Sequence, residues 1–316
     1  MPQFPGFPTN DFDFHFEEAG GALAGLLMRD RAGHVLPGVL PHAEKLLSAG
    51  EGWTIRVAPF VAARSKGRAV LLGGTTEEVF LDVDPAPSAN ARIDVFYSLP
   101  ADVGAGDPPV GVAVAQGLPG AAPAKPVLPD GAIELGTFRV SAGNSSAATA
   151  VLTETFKFAA LTGGLLYVRS TSALSQIDAL EGTRAYNLAD GRSAERVKGK
   201  WLSSKTVAYS SPFKAYNAEY PRINVEVEDG HVTISGMAGT TKPTDLVGGT
   251  SALIANVGAD YAPTNRLVGV FQGSSSNRWA VELTPEGALL AGRYGPGTPT
   301  TNVWLPFSFT FPIKRR

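Results

Sequence analysis

The sequence predicts a mainly β protein with an N-terminal antiparallel β domain, a small β-hairpin connector module and a C-terminal β-sandwich. Three observations support this fold class. The 316 residues include 36 glycines and 24 prolines, which at this density mark tight turns between short apolar runs. Strand-like alternation recurs at intervals of about 10–20 residues. No long helical pattern separates these runs, which favours antiparallel sheets over βαβ units.

The first 50 residues are predicted to form an arm with short helices. Residues 1–10 are rich in proline and phenylalanine, and residues 11–18 read DFDFHFEE. The phenylalanines at period two give a strand one apolar face and one acidic face. An acidic metal-binding edge is the alternative, but alternation alone accounts for the pattern and favours an outer strand. Residues 22–30 and 42–48, each bounded by glycine or proline, are predicted as short helices.

Residues 51–143 are predicted to form the N-terminal β domain. Residues 118–131 (LPGAAPAKPVLPDG) are too rich in proline for a central strand and indicate a long surface connection. The carboxylates of Asp82 and Asp84 suit Ca²⁺, but an aspartate before Pro85 is more often a turn residue, which is the interpretation we favour. The predicted strands are residues 53–59, 69–72, 78–83, 92–99, 108–116 and 133–140.

Residues 144–205 are predicted as a junction followed by a hairpin module. The double glycine Gly163-Gly164 opens an extended run, and residues 172–180 fit one helical turn. The pair Asp190-Gly191 is a strong hairpin signal. Trp201 follows the hairpin and is expected to fold back as an apolar plug. The strands of this module are expected at residues 165–170, 182–187 and 192–197.

Residues 206–316 are predicted to form a β-sandwich. About a hundred residues with about eight short strands is a normal size for this fold. Asp229-Gly230 and the TPEG sequence at 284–287 are the clearest turns. The predicted strands are residues 222–228, 231–236, 253–256, 266–271, 278–283 and 288–292, and the final apolar strand is 303–313.

Composition excludes several function classes. The net charge is −2 and the pI is about 6.1, so no overall field attracts nucleic acid or an anionic membrane. The absence of cysteine removes disulfides, thiolate metal sites and cysteine nucleophiles. No segment has the length of about 20 apolar residues that a spanning helix needs, and the N-terminus lacks the pattern of a signal peptide. We therefore expect a soluble protein without membrane insertion, made without a cleaved leader.

The sequence predicts no catalytic, cofactor-binding or metal-binding residues. No glycine run fits a phosphate loop, no nucleophile elbow is present, and the four histidines are spread over different elements. Glu226 and Glu228 lie at period two on one strand face, so a glycosidase pair is geometrically allowed. Because they flank the Asp229-Gly230 turn, a solvated hairpin edge is the interpretation we favour.

Carbohydrate binding is the function that best fits the aromatic and planar polar residues of the C-terminal part. Proteins often hold sugars on aromatic faces with a few planar polar groups beside them. A sandwich core also uses tryptophan and tyrosine, so burial is the alternative for each aromatic residue. The candidate receptor-binding residues are Trp279, Tyr261, Tyr294 and Trp304, with Arg278, Asn277 and Arg293 close in sequence.

The order of short motifs from about residue 50 to the end resembles that of minor tail proteins of long-tailed (siphovirus-type) phages of actinobacteria. The resemblance lies in their order more than in any one motif. In the hairpin module it includes Glu181-Gly182 and the stretch from Tyr186 to Trp201. The other matching pieces are residues 53–62 (WTIRVAPFVA), 89–94, 135–143 and 163–170, followed by 231–236, 261–263, 281–287 and Trp304.

This resemblance implies a virion component at the phage tail tip, assembled in the host cytoplasm. It implies an N-terminal platform domain, a C-terminal receptor-binding head and a homotrimer. The N-terminal part, with residues 1–50 as a docking arm, would contact other tail-tip proteins, and the head would bind a host cell-wall glycan without enzymatic activity. Two alternatives stay open. One is a tail-borne glycan hydrolase using Glu226 or Glu282, and the other is a structural tail-tip protein without a receptor site.

Overall fold

A computed structural model of the chain has a mainly β fold, which confirms the predicted fold class. Strands account for 50% of the structure and helices for 4%. The chain divides into two compact units. Unit 1 is Met1–Arg169 with Ile177–Leu180, and unit 2 is Ser170–Gln176 with Glu181–Arg316. The structure describes residues 25–41, 45–66, 69–100, 110–220, 222–246, 250–274, 277–295 and 297–314.

Unit 1 contains antiparallel strands in three sheets among its described residues. The sheet orders are β1-β4-β5, β2-β3-β6 and β10-β9-β7-β8, and a 3₁₀ turn spans Ala147–Thr149. The strands of these sheets are β1 Gly38–Val39, β2 Leu47–Ala49, β3 Thr54–Val57, β4 Phe60–Lys66, β5 Ala69–Thr75, β6 Val79–Asp82, β7 Ala91–Leu99, β8 Val110–Ala115, β9 Ile133–Ser141 and β10 Val151–Glu154. A further strand, β11 Leu165–Val168, belongs to none of the three.

One apolar core joins the three sheets of unit 1. Leu47, Ile55 and Phe96 come from different strands and are fully buried in the same cluster. Phe138 faces Phe96 with ring centroids 6.2 Å apart. The alternation that predicted these strands supplies the inward side chains of each sheet, because successive residues of a strand point to opposite faces.

The proline-rich stretch of unit 1 lies outside the sheets, as predicted. Between Gly117 and Gly131 the structure has no strand longer than an isolated bridge at Gly120. Leu118 is 85% exposed and Val127 is 96% exposed. Proline cannot donate to a strand ladder, so this composition keeps the segment on the surface.

The predicted helices at 22–30 and 42–48 are wrong for the residues that the structure describes there. Leu27 forms an isolated bridge with Leu161, and Leu47 opens strand β2, which pairs with β3. Isolated helices this short are marginal, and pairing satisfies the backbone groups while it buries Leu46 and Leu47. The predicted acidic–aromatic strand at 11–18 lies outside the described residues.

Unit 2 consists of a small hairpin module and two larger antiparallel sheets. A helix, α1, spans Thr171–Ser175, which fits the predicted helical turn. The strands are β12 Arg184–Asn187, β13 Arg192–Val197, β14 Lys200–Ser203, β15 Lys205–Val207, β16 Phe213–Ala215, β17 Ile223–Glu228, β18 His231–Thr240, β19 Ala252–Asn256, β20 Leu267–Gln272, β21 Arg278–Leu283, β22 Ala288–Gly295 and β23 Leu305–Pro312.

The two larger sheets face each other across one core, as in a β-sandwich. The first has the order β15-β17-β18-β16, with β23 also paired to β18, and the second has the order β19-β22-β21-β20. Ile234 from the first sheet and Val281 from the second belong to the same buried cluster. Val197 and Leu202 extend this cluster into the hairpin module, so the module and the sheets form one apolar core.

The hairpin module agrees with the sequence-based prediction except at Trp201. β12 and β13 pair around the turn at Asp190-Gly191, as predicted. Trp201, the expected plug, is only half-buried on β14, with the Arg196 guanidinium 5.7 Å from its ring centroid. The next residue, Leu202, points inward and is 4% exposed. The apolar side chain that enters the core is therefore the leucine, because the parity of β14 turns the tryptophan outward.

Tyr209 is expected to make the stability of unit 2 depend on pH in alkaline solution. Its hydroxyl donates to the Met237 carbonyl at 3.0 Å, and burial raises its pKa from 10.0 to about 12. Since the folded pKa lies above the unfolded one, this stability is present below pH 10 and is lost as the pH rises toward 12.

The substitution Tyr209→Phe should flatten the alkaline decline and cost about 1 kcal/mol at pH 8 through the lost hydrogen bond. Urea unfolding followed by tryptophan fluorescence between pH 8 and 11 measures both effects. Tyr220→Phe removes a more exposed hydroxyl, on a residue 41% exposed, and is the control. An alkaline decline of equal steepness in Tyr209→Phe and in the native chain would contradict the assignment.

Candidate functional site

A groove on the outer face of the second sheet of unit 2 contains four of the seven predicted receptor-binding residues. Its volume is about 420 Å³, within the range of roughly 300–1,000 Å³ typical of small-ligand sites. We call it the arginine groove. Its lining residues are Val270, Arg278, Trp279, Ala280, Arg293, Tyr294 and Gly295.

Three neighbouring strands position the lining of the arginine groove. Val270 on β20 pairs with Ala280 on β21, and Arg278 on β21 pairs with Gly295 on β22. Strand alternation points Arg278 and Ala280 outward, whereas Trp279 between them points into the core. The groove is therefore formed by residues whose side chains lie on the solvent-facing side of the sheet.

A β-bulge directs Arg293 into the same groove. Trp279 pairs with Tyr294 and Ala280 pairs with Gly292, so Arg293 is an extra residue on β22. Without the extra residue, regular alternation after the buried Ala291 would place the Arg293 side chain on the core face. The bulge shifts the inward–outward alternation of β22 by one residue, so that Arg293 is exposed.

Trp279 and Tyr294 are core residues that lie beneath the groove. Trp279 is 1% exposed and Tyr294 is 4% exposed. The Trp279 indole Nε1 donates to the Pro306 carbonyl at 3.0 Å, and Asn277 Nδ2 donates to the Tyr294 hydroxyl at 3.1 Å. These aromatic side chains have little surface left for a ligand, so the groove depends on the residues around them.

Tyr261 and Trp304 lie outside the arginine groove. The Tyr261 hydroxyl donates to the Ser203 carbonyl at 3.1 Å, and the Lys205 Nζ lies 3.9 Å from its ring centroid. Burial raises the pKa of Tyr261 and lowers the pKa of Lys205. The backbone N–H of Trp304 donates to Ser274 Oγ at 2.8 Å. Both aromatic residues are half-buried, and Tyr261 packs against the core of unit 2.

Glu226 and Glu282, the alternative catalytic residues of a hydrolase, lie on opposite faces of unit 2, and Glu228 shares the exposed face of β17 with Glu226, as predicted. Glu226 lies on the outer face of β17, where its Oε1 accepts a hydrogen bond from Asn224 at 2.6 Å. Glu282 lies on the outer face of β21 in the other sheet and forms an ion pair with Arg266 at 3.1 Å. The shared core separates these two residues, so they do not face each other across a cleft.

The charged residues that line the arginine groove, among those that the structure describes, are both basic. Among the described residues that line it, none is acidic. In unit 2 the basic side chains Arg266, Arg184 and Lys200 form ion pairs with acidic partners, whereas others, such as Lys214, which bonds Asn302, do not do so with any described residue. The backbone of Arg278 pairs with both neighbouring strands, but the guanidinium groups of Arg278 and Arg293 form no hydrogen bond or ion pair within the part of the chain that the structure describes.

Sequence reasoning missed the apolar part of the groove. Val270 is 69% exposed, and its neighbour on the same face, Val268, is 60% exposed. The run LVGVFQ carries a signal for this, because alternation puts both valines opposite Leu267 and Phe271, which pack against the core. Two exposed valines on one strand face form a small contiguous apolar patch, and contiguous apolar surface is what ligand-binding grooves offer.

No group of three or more His, Asp or Glu side chains that could bind a metal occurs in the described residues. The helices among those residues are also too short and too polar for a membrane crossing. Comparison with protein families and with curated proteins finds no match to this sequence. The groove and the order of motifs are therefore the grounds for a functional proposal.

Proposed function

We propose that this chain is a structural protein of a phage tail tip that attaches the particle to its bacterial host by binding a cell-wall glycan. The observation that carries the proposal is the arginine groove, with its exposed Val270, Arg278 and Arg293, on the outer face of a β-sandwich-like unit. The ordered motifs that resemble minor tail proteins supply the biological setting.

The groove suits binding rather than bond cleavage. Sugar rings present C–H faces to apolar surface and hydroxyls to planar polar groups, and the groove offers both kinds of contact. Glycoside hydrolysis requires two carboxyl groups about 5–10 Å apart around the scissile bond. No acidic residue belongs to the described lining of the groove, which favours attachment over a hydrolase.

In this proposal the chain acts as a homotrimer in the virion, assembled in the host cytoplasm. The N-terminal part contacts other tail-tip proteins, and the groove of each copy contacts the glycan. One groove of this size binds weakly on its own. Several linked copies raise the effective affinity because each later contact forms at a high local concentration.

The virion assignment is tested by locating the chain in the particles of the phage that encodes it. Antibodies raised against the purified chain should label the tail tip in electron micrographs. Antibodies against the major capsid protein, used in parallel, should label only the heads. Absence of the chain from purified particles, by labelling and by mass spectrometry, would remove the virion assignment.

The attachment role is tested by competition with a groove-filling variant. Purified native chain added to host cells should slow phage adsorption. Gly295→Trp should abolish this competition, because Gly295 lines the groove. A Cβ atom added at Gly295 meets no other described atom within 4 Å, so the fold has room for the new side chain. Gly120→Trp is the matched control, since Gly120 is an equally open glycine in unit 1. Equal competition by the native chain and Gly295→Trp would rule out the groove as the attachment site.

A further inference from the structure

The bulge at Arg293 is the least expected feature of the groove. β-Bulges are over-represented next to functional sites, where they redirect a side chain. This bulge lies between Ala280 and Trp279 in the pairing of β21 with β22. It exposes an arginine on a strand adjacent to the one that carries Arg278. A residue whose outward direction depends on a break in the ladder is better explained by a ligand than by packing.

Two arginines that line one groove, among described lining residues of which none is acidic, indicate the charge of that ligand. Neighbouring strands lie about 4.8 Å apart, so Arg278 and Arg293 reach the same groove from adjacent positions. A guanidinium presents a rigid fork of N–H donors that fits a phosphate or carboxylate with two parallel hydrogen bonds. Neutral sugars need no such pair, because single polar groups suffice for hydroxyls.

The rest of the lining suits a ring rather than a bare ion. Val270, Ala280 and Gly295 carry no charge and lie beside the arginines on the outer face. The volume of about 420 Å³ is much larger than an inorganic anion requires. A ligand that meets both parts of the groove has an apolar ring face and an anionic substituent.

We propose that the arginine groove selects an anionic saccharide, with Arg278 and Arg293 binding a phosphate or carboxylate group and Val270 contacting the sugar ring. This inference rests on the proposed attachment function and specifies its ligand class. It makes a claim that attachment alone does not make. Binding should depend on the anionic group of the glycan and should weaken with added salt.

Chemical treatment of host cell-wall glycan tests this preference with the full-length chain. The glycan is immobilised untreated, after hydrofluoric acid treatment that removes phosphodiesters, or after reduction of its carboxyl groups. Binding of the native chain should fall about tenfold or more with one treatment, as expected for loss of charged hydrogen bonds. If hydrofluoric acid weakens binding, the anion is a phosphate, and if carboxyl reduction weakens binding, it is a carboxylate. Undiminished binding after both treatments would overturn the inference.

Arginine variants test whether Arg278 and Arg293 bind the anionic group. The double variant Arg278→Gln, Arg293→Gln should bind untreated glycan about tenfold or more weakly, and its binding should respond less to salt. Arg222→Gln is the control, because Arg222 is an exposed arginine directly before β17, in the other sheet of unit 2. Circular dichroism and thermal unfolding verify that each variant is folded. Native-like binding by the folded double variant would overturn the inference.

The results separate this inference from the function on which it rests. If the native chain binds host glycan and Gly295→Trp abolishes binding while the arginine variant does not, the groove binds glycan without selecting an anion. If the native chain binds no host glycan at all, both proposals are wrong.

Discussion

Replacing Trp279 with alanine is expected to lower the free energy of unfolding of unit 2 by about 3–5 kcal/mol. Trp279 is the largest fully buried side chain, at 1% exposure. Its ring packs edge-on against Phe307 with centroids 6.4 Å apart, and its Nε1 donates to the Pro306 carbonyl. The substitution leaves a cavity between the sheets and removes a partly buried hydrogen bond, and both effects destabilise the fold. Urea denaturation monitored by circular dichroism measures the loss.

Two control variants distinguish a core role from a ligand role for this tryptophan. Trp279→Phe keeps an aromatic ring in the core and should lose less stability than the alanine variant. Trp304→Ala removes a tryptophan that is only half-buried and should also cost less. A Trp279→Ala chain with native stability but weakened glycan binding would contradict the structure and support the sequence-based site prediction.

Replacing Arg92 with leucine is expected to destabilise unit 1 by about 3–5 kcal/mol, because it leaves a buried carboxylate without its partner. The Arg92 Nε lies 3.0 Å from Asp94 Oδ2, and the two side chains are 3% and 1% exposed. The guanidinium also donates to the carbonyls of Pro85 and Asp84. Asp94 Oδ1 additionally accepts from the Gly117 N–H at 3.0 Å.

The loss in Arg92→Leu should depend on pH. Burial raises the pKa of Asp94 even with Arg92 present, while the arginine opposes that rise. Removing the arginine raises the pKa further. A carboxyl group with a raised folded pKa favours the folded state below its unfolded pKa, and this contribution is lost as pH rises through the folded value. The destabilisation should therefore be larger at pH 7 than at pH 4.5, measured by urea unfolding at both.

The double variant Arg92→Leu, Asp94→Asn tests the cause. Asparagine keeps an acceptor for the Gly117 N–H and carries no charge. It should recover part of the stability at pH 7 and remove the extra pH dependence. An equal loss in the single and double variants would show that the unpaired charge is not the origin of the effect.

Local sequence signals predicted most strands of both units. Asp229-Gly230 forms the two-residue turn between β17 and β18, with both residues in the left-handed region that Asp and Gly tolerate, and Asp190-Gly191 closes the four-residue loop between β12 and β13. Alternation in β9 and β17 correctly separates inward from outward side chains. The failures include strands β4, β10 and β14, which the sequence did not predict, and the two short helices, where apolar residues at mixed spacing carry no period and pairing with distant strands decides the outcome.

Sequence by itself determined that the chain is mainly β, where its hairpins turn and which side chains share a strand face. Only the tertiary structure decided which face is covered. Trp279 and Arg278 are neighbours in sequence, yet one lies in the core and the other in the groove. Arg293 faces outward because of a bulge in the pairing of β22 with β21. The physical reason is that strand parity is local, whereas burial and register depend on partners far away in the chain.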